Sequence, residues 1–491
     1  MASANKADRN LRFIIIGAGM AGILAGIKLK EAGYHDVVIY EKADRVGGTW
    51  RENTYPGLTC DVTSHSYTYA FAPNPDWSRE YPAGPEIFDY FDSVTKKYAV
   101  DKFIRFNEEV VSCVYESGKW HLRTKNGDED TADFLIGATG VLHHPSYPDI
   151  AGLDSFEGAI FHSSRWDHSV PLDGQRIGVI GTGSTGVQII TALAGRAANL
   201  KHFQRTAQWI RPTVNAVYTD EEKAAFRNNP ALIDEIRNSP EYDANIRFWS
   251  KAITDASSPE MAMVEAMLLQ NLEDSVKDPI LKETLRPNYR AGCKRMVISP
   301  DYYEKVQYPN VEIVTAAIEA IEPKGIRTAD GVLHELDVIA LATGFKADQF
   351  LRPMNVVGRG GIKLNDIWQT RPTAYLGITL AGFPNLFMLN GPTAPVGNFS
   401  LIDVAEHQVD YILQLVALAR GGTYREISVT PEAMAEYEAR RLEASKQTIF
   451  ASGCKSWYIG SDGLPSIWPW TYDHFTEEMV KPRLDDYDLV A

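Results

Sequence analysis

Two glycine turns of one form constrain this chain more than any other feature: Gly17-Ala-Gly-Met-Ala-Gly22 and Gly181-Thr-Gly-Ser-Thr-Gly186. Each follows a run of β-prone apolar residues, Leu11 to Ile16 and Arg176 to Ile180, as a strand buried on both faces requires. Each then opens a stretch of helical spacing, which runs to Glu31 before Gly33 and to about Leu193. A further short strand follows in both places, Asp36 to Tyr40 and Leu200 to Gln204. This is the order of a βαβ dinucleotide unit: the first glycine makes the turn, the second admits a pyrophosphate, and the third packs helix on strand. Asp133 to Ala138 and Asp337 to Ala342, in DFLIGATG and DVIALATGF, read as the strands that close the two units.

The fold class is therefore α/β, with two Rossmann-like dinucleotide-binding domains. Between 213 and 287 the composition turns charged and helix-favouring, with a capping box at Thr219 and Glu222 and a helix start at Ser258 and Pro259, so a helical insertion is expected. The expected division is 1–148 with 378–491 for the first domain, and 149–212 with 288–377 for the second. Further helices are expected over Asp403 to Leu418 and Pro431 to Gln447, before a tail rich in Trp and Tyr.

The two units differ where their second strands end. Glu41 stands where an acid accepts a ribose hydroxyl. The second unit has no acid there; Phe203-Gln-Arg-Thr206 offers Arg205, which suits a 2′-phosphate and so NADP over NAD. Two different nucleotides imply a hydride relay from NADPH to a second redox cofactor, FAD. Disulfide reductases share this plan, yet Cys60, Cys113, Cys293 and Cys454 are scattered, with no CxxC and no zinc spacing. Molecular oxygen is then the expected electron acceptor, and a reducing, cytoplasmic setting is the expected compartment.

Other classes fall away on composition. A net charge of −15 without a basic run argues against nucleic acid. Lys6, Arg9 and Arg12 before FIIIGAGMAGILAGI imitate a signal peptide, but the stretch is too short to span a bilayer, carries the glycine turn and lacks a cleavage pattern.

Three further motifs carry a resemblance. Phe156, Gly158, His162, Trp166 and Asp167 match F-x-G-x-x-x-H-x-x-x-W-(P/D). GGTWRENTYPGLTCD matches G-G-x-W…Y-P-G-x-x-x-D through Gly47, Gly48, Trp50, Tyr55, Pro56, Gly57 and Asp61, and CKRMVISPDYY carries the pair Lys294 and Arg295. Together they resemble the type I Baeyer–Villiger monooxygenases, FAD- and NADPH-dependent enzymes, over Phe13 to about Tyr411.

The resemblance implies that Gly48, Thr49, Trp50 and Asp61 line the flavin with the first loop, and that Tyr67, Val110 and 391–399 lie near its ring. It sets Gly181, Gly183, Ser184, Thr185, Gly186 and Gln188 at NADPH, with Arg205, Thr206 and Lys294 toward the phosphate. It further implies reduction of FAD by NADPH, addition of O₂ at flavin C4a, attack of the peroxide on a ketone, and collapse of a Criegee adduct to an ester or lactone. Arg295 is the catalytic candidate, a fixed cation for peroxide and alkoxide, with Asp61 orienting it. His162 is expected to anchor an interdomain connector and Trp166 to pack it. The rival is an N- or S-oxygenating flavin monooxygenase; a reading from another class is a redox sensor or scaffold. The partners implied are a small ketone and O₂, with no nucleic acid and no membrane span. No substrate-pocket residue is assigned in CKSWYIGSDGLPSIWPW.

Overall fold

The computed structural model describes residues 9–395 and 399–491. The strand Arg12–Ile16, buried from Phe13 onward, lies between Asp36–Tyr40 and Phe134–Gly137, and Ile104–Arg105 and Leu386–Met388 complete a five-stranded parallel sheet. The second body repeats the plan. Arg176–Ile180 lies between Asn199–Phe203 and Val338–Leu341, with Val311–Val314 and Ala159–His162 at the edges, again all parallel. In both sheets the glycine turn leaves the carboxyl end of a central strand, where strand order reverses and open α/β sheets bind their ligands.

The segment read as a helical insertion holds helices Asp220–Asn228, Ala231–Arg237, Pro240–Thr254, Pro259–Ser275 and Pro279–Thr284. Thr219 and Glu222 form the reciprocal capping box, and Ser258 caps the helix that starts at Pro259. The tail helices are Leu401–Arg420 and Pro431–Ser445.

Two expectations need correction. The boundary at 378 is too late: Asn355–Val357 already pairs with Val110–Glu116 in the first body's accessory sheet, and Leu364 and Trp368 share a core with Trp120 and Cys113. The chain changes body between Leu341 and Asn355, because the apolar side chains of 364–374 complete that core. The cysteines are not all free thiols. Cys293 and Cys454, 161 residues apart, are joined by a disulfide with a Cα–Cα distance of 6.1 Å, while Cys60 and Cys113 are buried and free. Sequence spacing cannot reveal a pair that only tertiary packing brings together.

The Y-P-G segment also does something other than line the first nucleotide. Tyr55 is buried in the second body's core beside Ile177 and Val187, and its hydroxyl donates to Gln188 Oε1 at 2.8 Å. Gly57 has φ +82°, and a Cβ there would stand 2.5 Å from the Gln188 carbonyl oxygen. The segment is the seam between the bodies. Gly57→Ala is expected to destabilise the protein by about 1–3 kcal/mol through overpacking, read as a lower denaturant midpoint with the first glycine loop intact. An unchanged midpoint would show that the seam yields.

Candidate active site

The carboxyl ends of both sheets open into one cleft of about 1500 Å³ lined by both glycine loops. Pockets for a single drug-sized ligand hold roughly 300–1,000 Å³, so this volume suits two nucleotides and a small substrate. Helices Met20–Glu31 and Ser184–Leu193 begin at its wall without side-chain caps, leaving their first N–H groups for an anion. A Cβ on Gly19 would make only an ordinary 3.5 Å contact with Gly48, and one on Gly183 would meet no protein atom within 4 Å. At both positions a side chain would therefore enter the cleft, where a pyrophosphate fits. Gly22 and Gly186 serve differently: their absent Cβ atoms would lie 1.8 and 2.0 Å from the carbonyls of Gly17 and Gly181, and neither lines the cleft. They are packing glycines, not ligands.

Glu41 is buried at the end of its strand. Its Oε2 accepts from the Ala18 N–H at 2.8 Å, and Oε1 accepts from Ala43 N–H and Arg51 Nη1, both at 3.0 Å. Oε2, with a single donor, keeps a lone pair for a ribose hydroxyl. Arg51 also pairs with Glu52, so the acid sits in a neutralising network that the sequence reading missed, although Arg51 follows Trp50 in the motif.

At the other loop Arg205 and Lys294 line the cleft together, and neither forms an ion pair with an acid among the described residues. Burial, and then the charge of Arg205, hold the Lys294 pKa below the ordinary lysine value. Two adjacent cations without a protein counter-ion form a site for a dianionic phosphate. Lys294 is seated over the Tyr289 ring at 4.4 Å, and Thr206 fixes the neighbouring turn by accepting at its carbonyl from the Thr182 hydroxyl at 2.8 Å. Ser184, Thr185 and Gln188 all line the cleft, and Gln188 also reaches across the seam. Its Nε2 donates to Thr59 O and Oγ1, both at 3.0 Å, and the Thr185 hydroxyl lies 3.3 Å from that of Tyr55. Gln188 thus stands in the cleft wall and also clamps the two bodies together. His202, which sequence reasoning missed, is fully buried and reaches the Gly181 carbonyl at 2.8 Å; a lone histidine in an apolar strand gives no signal of this.

Where the bodies meet, Arg295 Nε and Nη2 both donate to Asp61 Oδ2, at 2.9 and 2.5 Å. The Asp61 charge is the chief cause of the raised Arg295 pKa, so the guanidinium stays cationic at any working pH. Its side chain remains 34% exposed, toward the cleft it lines. Trp50 Nε1 donates to the Tyr67 hydroxyl at 3.1 Å, and Gly48, Thr49 and Tyr67 line the same wall. Val110 also lines the cleft. It comes two residues after Glu108, whose N–H bonds the Glu41 carbonyl at 2.9 Å. Of the 391–399 segment, Phe399 lines the cleft; 396–398 lie outside the described residues.

The H-x-x-x-W stretch is a connector held by hydrogen bonds. His162 Nδ1 accepts from the Ser164 N–H at 3.2 Å, so Nε2 carries the proton that it shares with the Gly344 carbonyl at 3.0 Å. Burial lowers its pKa and keeps it neutral. Trp166 packs on Phe161 at 4.7 Å, while Arg165 pairs with Glu52 and His168 bonds Thr54 at 2.8 Å, across the seam. The tail, from which no residue was assigned, adds Lys455, Ser456 and Trp457 to the cleft wall.

Two dinucleotide loops facing one cleft, with neither cysteine of the Cys293–Cys454 pair among the described residues that line it, define an oxidoreductase that passes electrons between two nucleotides and then to a third reactant. The family model for pyridine nucleotide-disulphide oxidoreductases matches residues 14–231. An uncharacterised monooxygenase of Mycobacterium tuberculosis is 46% identical over 97% of this chain and 95% of its own length. A Baeyer–Villiger monooxygenase of Streptomyces coelicolor is 35% identical over the whole chain and 95% of its own. The crystal structure of OTEMO in complex with FAD and NADP superposes with a TM-score of 0.88 at 28% identity, covering 99% of this chain and all of that one. The chain belongs to the Baeyer–Villiger monooxygenase family, which favours this reading over the N- and S-oxygenating rival and over a non-oxygenating scaffold.

Gly19→Ala should lower retention of the first nucleotide without loss of thermal stability, because its methyl group makes only an ordinary van der Waals contact with Gly48; full occupancy would remove the first loop from the site. Arg205→Ala with Lys294→Ala should cut the preference for NADPH over NADH by about one to two decades per lost charged contact, measured as the ratio of kcat/KM values. An unchanged ratio would place the phosphate elsewhere.

Proposed function

We propose that this enzyme uses NADPH and O₂ to insert one oxygen atom beside a ketone carbonyl, releasing an ester or lactone and water. The observation that carries the reading is the Arg295–Asp61 pair, set in the cleft between the two glycine loops. FAD, held by the first loop, supplies the two-electron activation of O₂ once NADPH has reduced it.

The chain's own residues then do four things. The uncapped helix starts and the Arg205–Lys294 pair bind the two nucleotides and set their ends toward each other. Glu41 holds the ribose of the first. Asp61 takes both N–H groups on one edge of Arg295, which fixes the plane of the guanidinium and offsets part of its charge. The rest of that guanidinium supports the negative charge that develops on oxygen as the ketone is attacked, the use to which a preorganised, permanently cationic donor is suited. His162, neutral and fully bonded, orients the connector and moves no proton.

We infer a cytoplasmic setting, where a supply of NADPH is at hand. Among the described residues no helix is long and apolar enough to cross a membrane.

Arg295→Ala tests the assignment. FAD should remain bound and NADPH should still reduce it, while ester formation falls by roughly 10²–10³ and H₂O₂ replaces the ester as the oxygen product. Assays of linear, cyclic, aryl and steroid ketones, with product identification, should yield esters from the parent enzyme. Near-normal ester formation in the variant would show that another group carries the charge.

A further inference from the structure

Arg295 has a second neighbour, from the tail, far in sequence from Asp61. Besides Asp61 it has nearby the hydroxyl of Tyr458, a fully buried residue of the tail that adds, after Asp61, to the raised pKa of the arginine. Tyr458 is wedged against Phe450, ring to ring at 4.7 Å, and its backbone is held by Ser456 Oγ at 3.3 Å and by the Ser466 N–H at 2.8 Å. The loop that carries it has two anchors. On its C-terminal side the buried Arg441 donates to the carbonyls of Pro465 and Ile467, at 2.8 and 3.0 Å. On its N-terminal side the anchor is the Cys293–Cys454 disulfide. Cys293 directly precedes Lys294 and Arg295, and Cys454 directly precedes Lys455, Ser456 and Trp457, which line the cleft. One covalent bond thus joins the segment bearing the catalytic arginine to the segment that walls the cleft and supplies that arginine's second neighbour.

We propose that Tyr458 is a positioning residue for Arg295 and that Cys293–Cys454 is the redox-sensitive clasp that keeps it seated, so that opening the clasp diverts electrons from product to H₂O₂. The consequence for ester yield rests on the function proposed above. A disulfide in a reducing compartment is usually transient or redox-sensing, and this one is reachable: Cys454 is partly exposed while Cys293 is buried. A small dithiol attacks the Cys454 sulfur, the S–S bond breaks and Cys293 leaves as thiolate. The second thiol of the reagent then closes it to a cyclic disulfide, supplying two electrons and two protons in all and leaving both cysteines as thiols. With its N-terminal anchor free, the 454–458 loop keeps the hold of Arg441, of the Phe450 ring and of the Ser461 and Asp462 contacts, but loses its covalent link to the Arg295 segment, and the guanidinium keeps Asp61 alone.

The test uses the FAD-loaded enzyme. Denaturation in alkylating reagent followed by peptide mapping should find Cys293 and Cys454 linked, and Cys60 and Cys113 alkylated. H₂O₂ release with NADPH in the absence of any ketone should rise roughly tenfold, the scale of losing one hydrogen bond to a charged group, in dithiothreitol-treated enzyme, in Cys454→Ser and in Tyr458→Phe. FAD content and the rate of flavin reduction should stay unchanged, which a general loss of structure would not allow. Dithiothreitol should add nothing to Cys454→Ser, and reoxidation should restore the parent enzyme. Free Cys293 and Cys454 in the isolated enzyme, or H₂O₂ release unmoved by both reduction and Tyr458→Phe, would overturn the proposal. If those changes occur while no ketone gives an ester, the clasp stands and the ketone reading falls; if esters form and the changes are absent, the reverse holds.

Discussion

The ion pair between Asp61 and Arg295 is the interaction on which the site depends, because its two members come from different bodies. Asp61 lies on the loop that follows the Y-P-G seam, and Arg295 lies on the segment that returns from the helical insertion. A partly buried arginine keeps its charge cheaply only beside an acid and with its remaining N–H groups used. Here the acid, the tail tyrosine and the cleft divide those groups among them. Any displacement of one body against the other separates the pair, so the seam formed by Tyr55, Gly57 and Gln188 is part of the site's geometry although none of the three need touch a reacting atom.

Much of this was legible in the sequence, for identifiable reasons. The two parallel sheets follow from apolar runs that end in glycine turns, a pattern in which local propensity and tertiary role agree. Glu41, Arg205, Lys294, Asp61 and Arg295 were legible because each sits at a fixed offset from a strand end or within a spaced motif. What the sequence concealed depends on contacts between distant segments. Gln188 has the look of a loop ligand, and only the fold shows its amide also bonded to Thr59 and Tyr55. The 346–377 segment follows the second sheet in sequence but completes the first body's core through Leu364 and Trp368. Cys293 and Cys454 are unremarkable until packing sets them together. Aromatic richness in the tail signalled burial without indicating which ring would reach the arginine.

The charge distribution follows the same logic. The chain carries a net charge of −15, yet cations are concentrated where nucleotide phosphates and a developing oxyanion need them, at Arg205, Lys294 and Arg295. Acids oppose them selectively: Arg295 has Asp61, whereas Arg205 and Lys294 have no acidic partner among the described residues. On the function proposed, the cation to be oriented is the paired one, and the two left to meet a dianionic phosphate are not paired.

The account's central claim is that one atom of O₂ is delivered to a ketone in this cleft. The most direct measurement is product mass spectrometry after turnover with NADPH, a ketone and isotopically heavy O₂. The account predicts an ester or lactone carrying one heavy oxygen atom, with NADPH consumed in equal amount. Consumption of NADPH with only labelled H₂O₂, or ester without label, would contradict it.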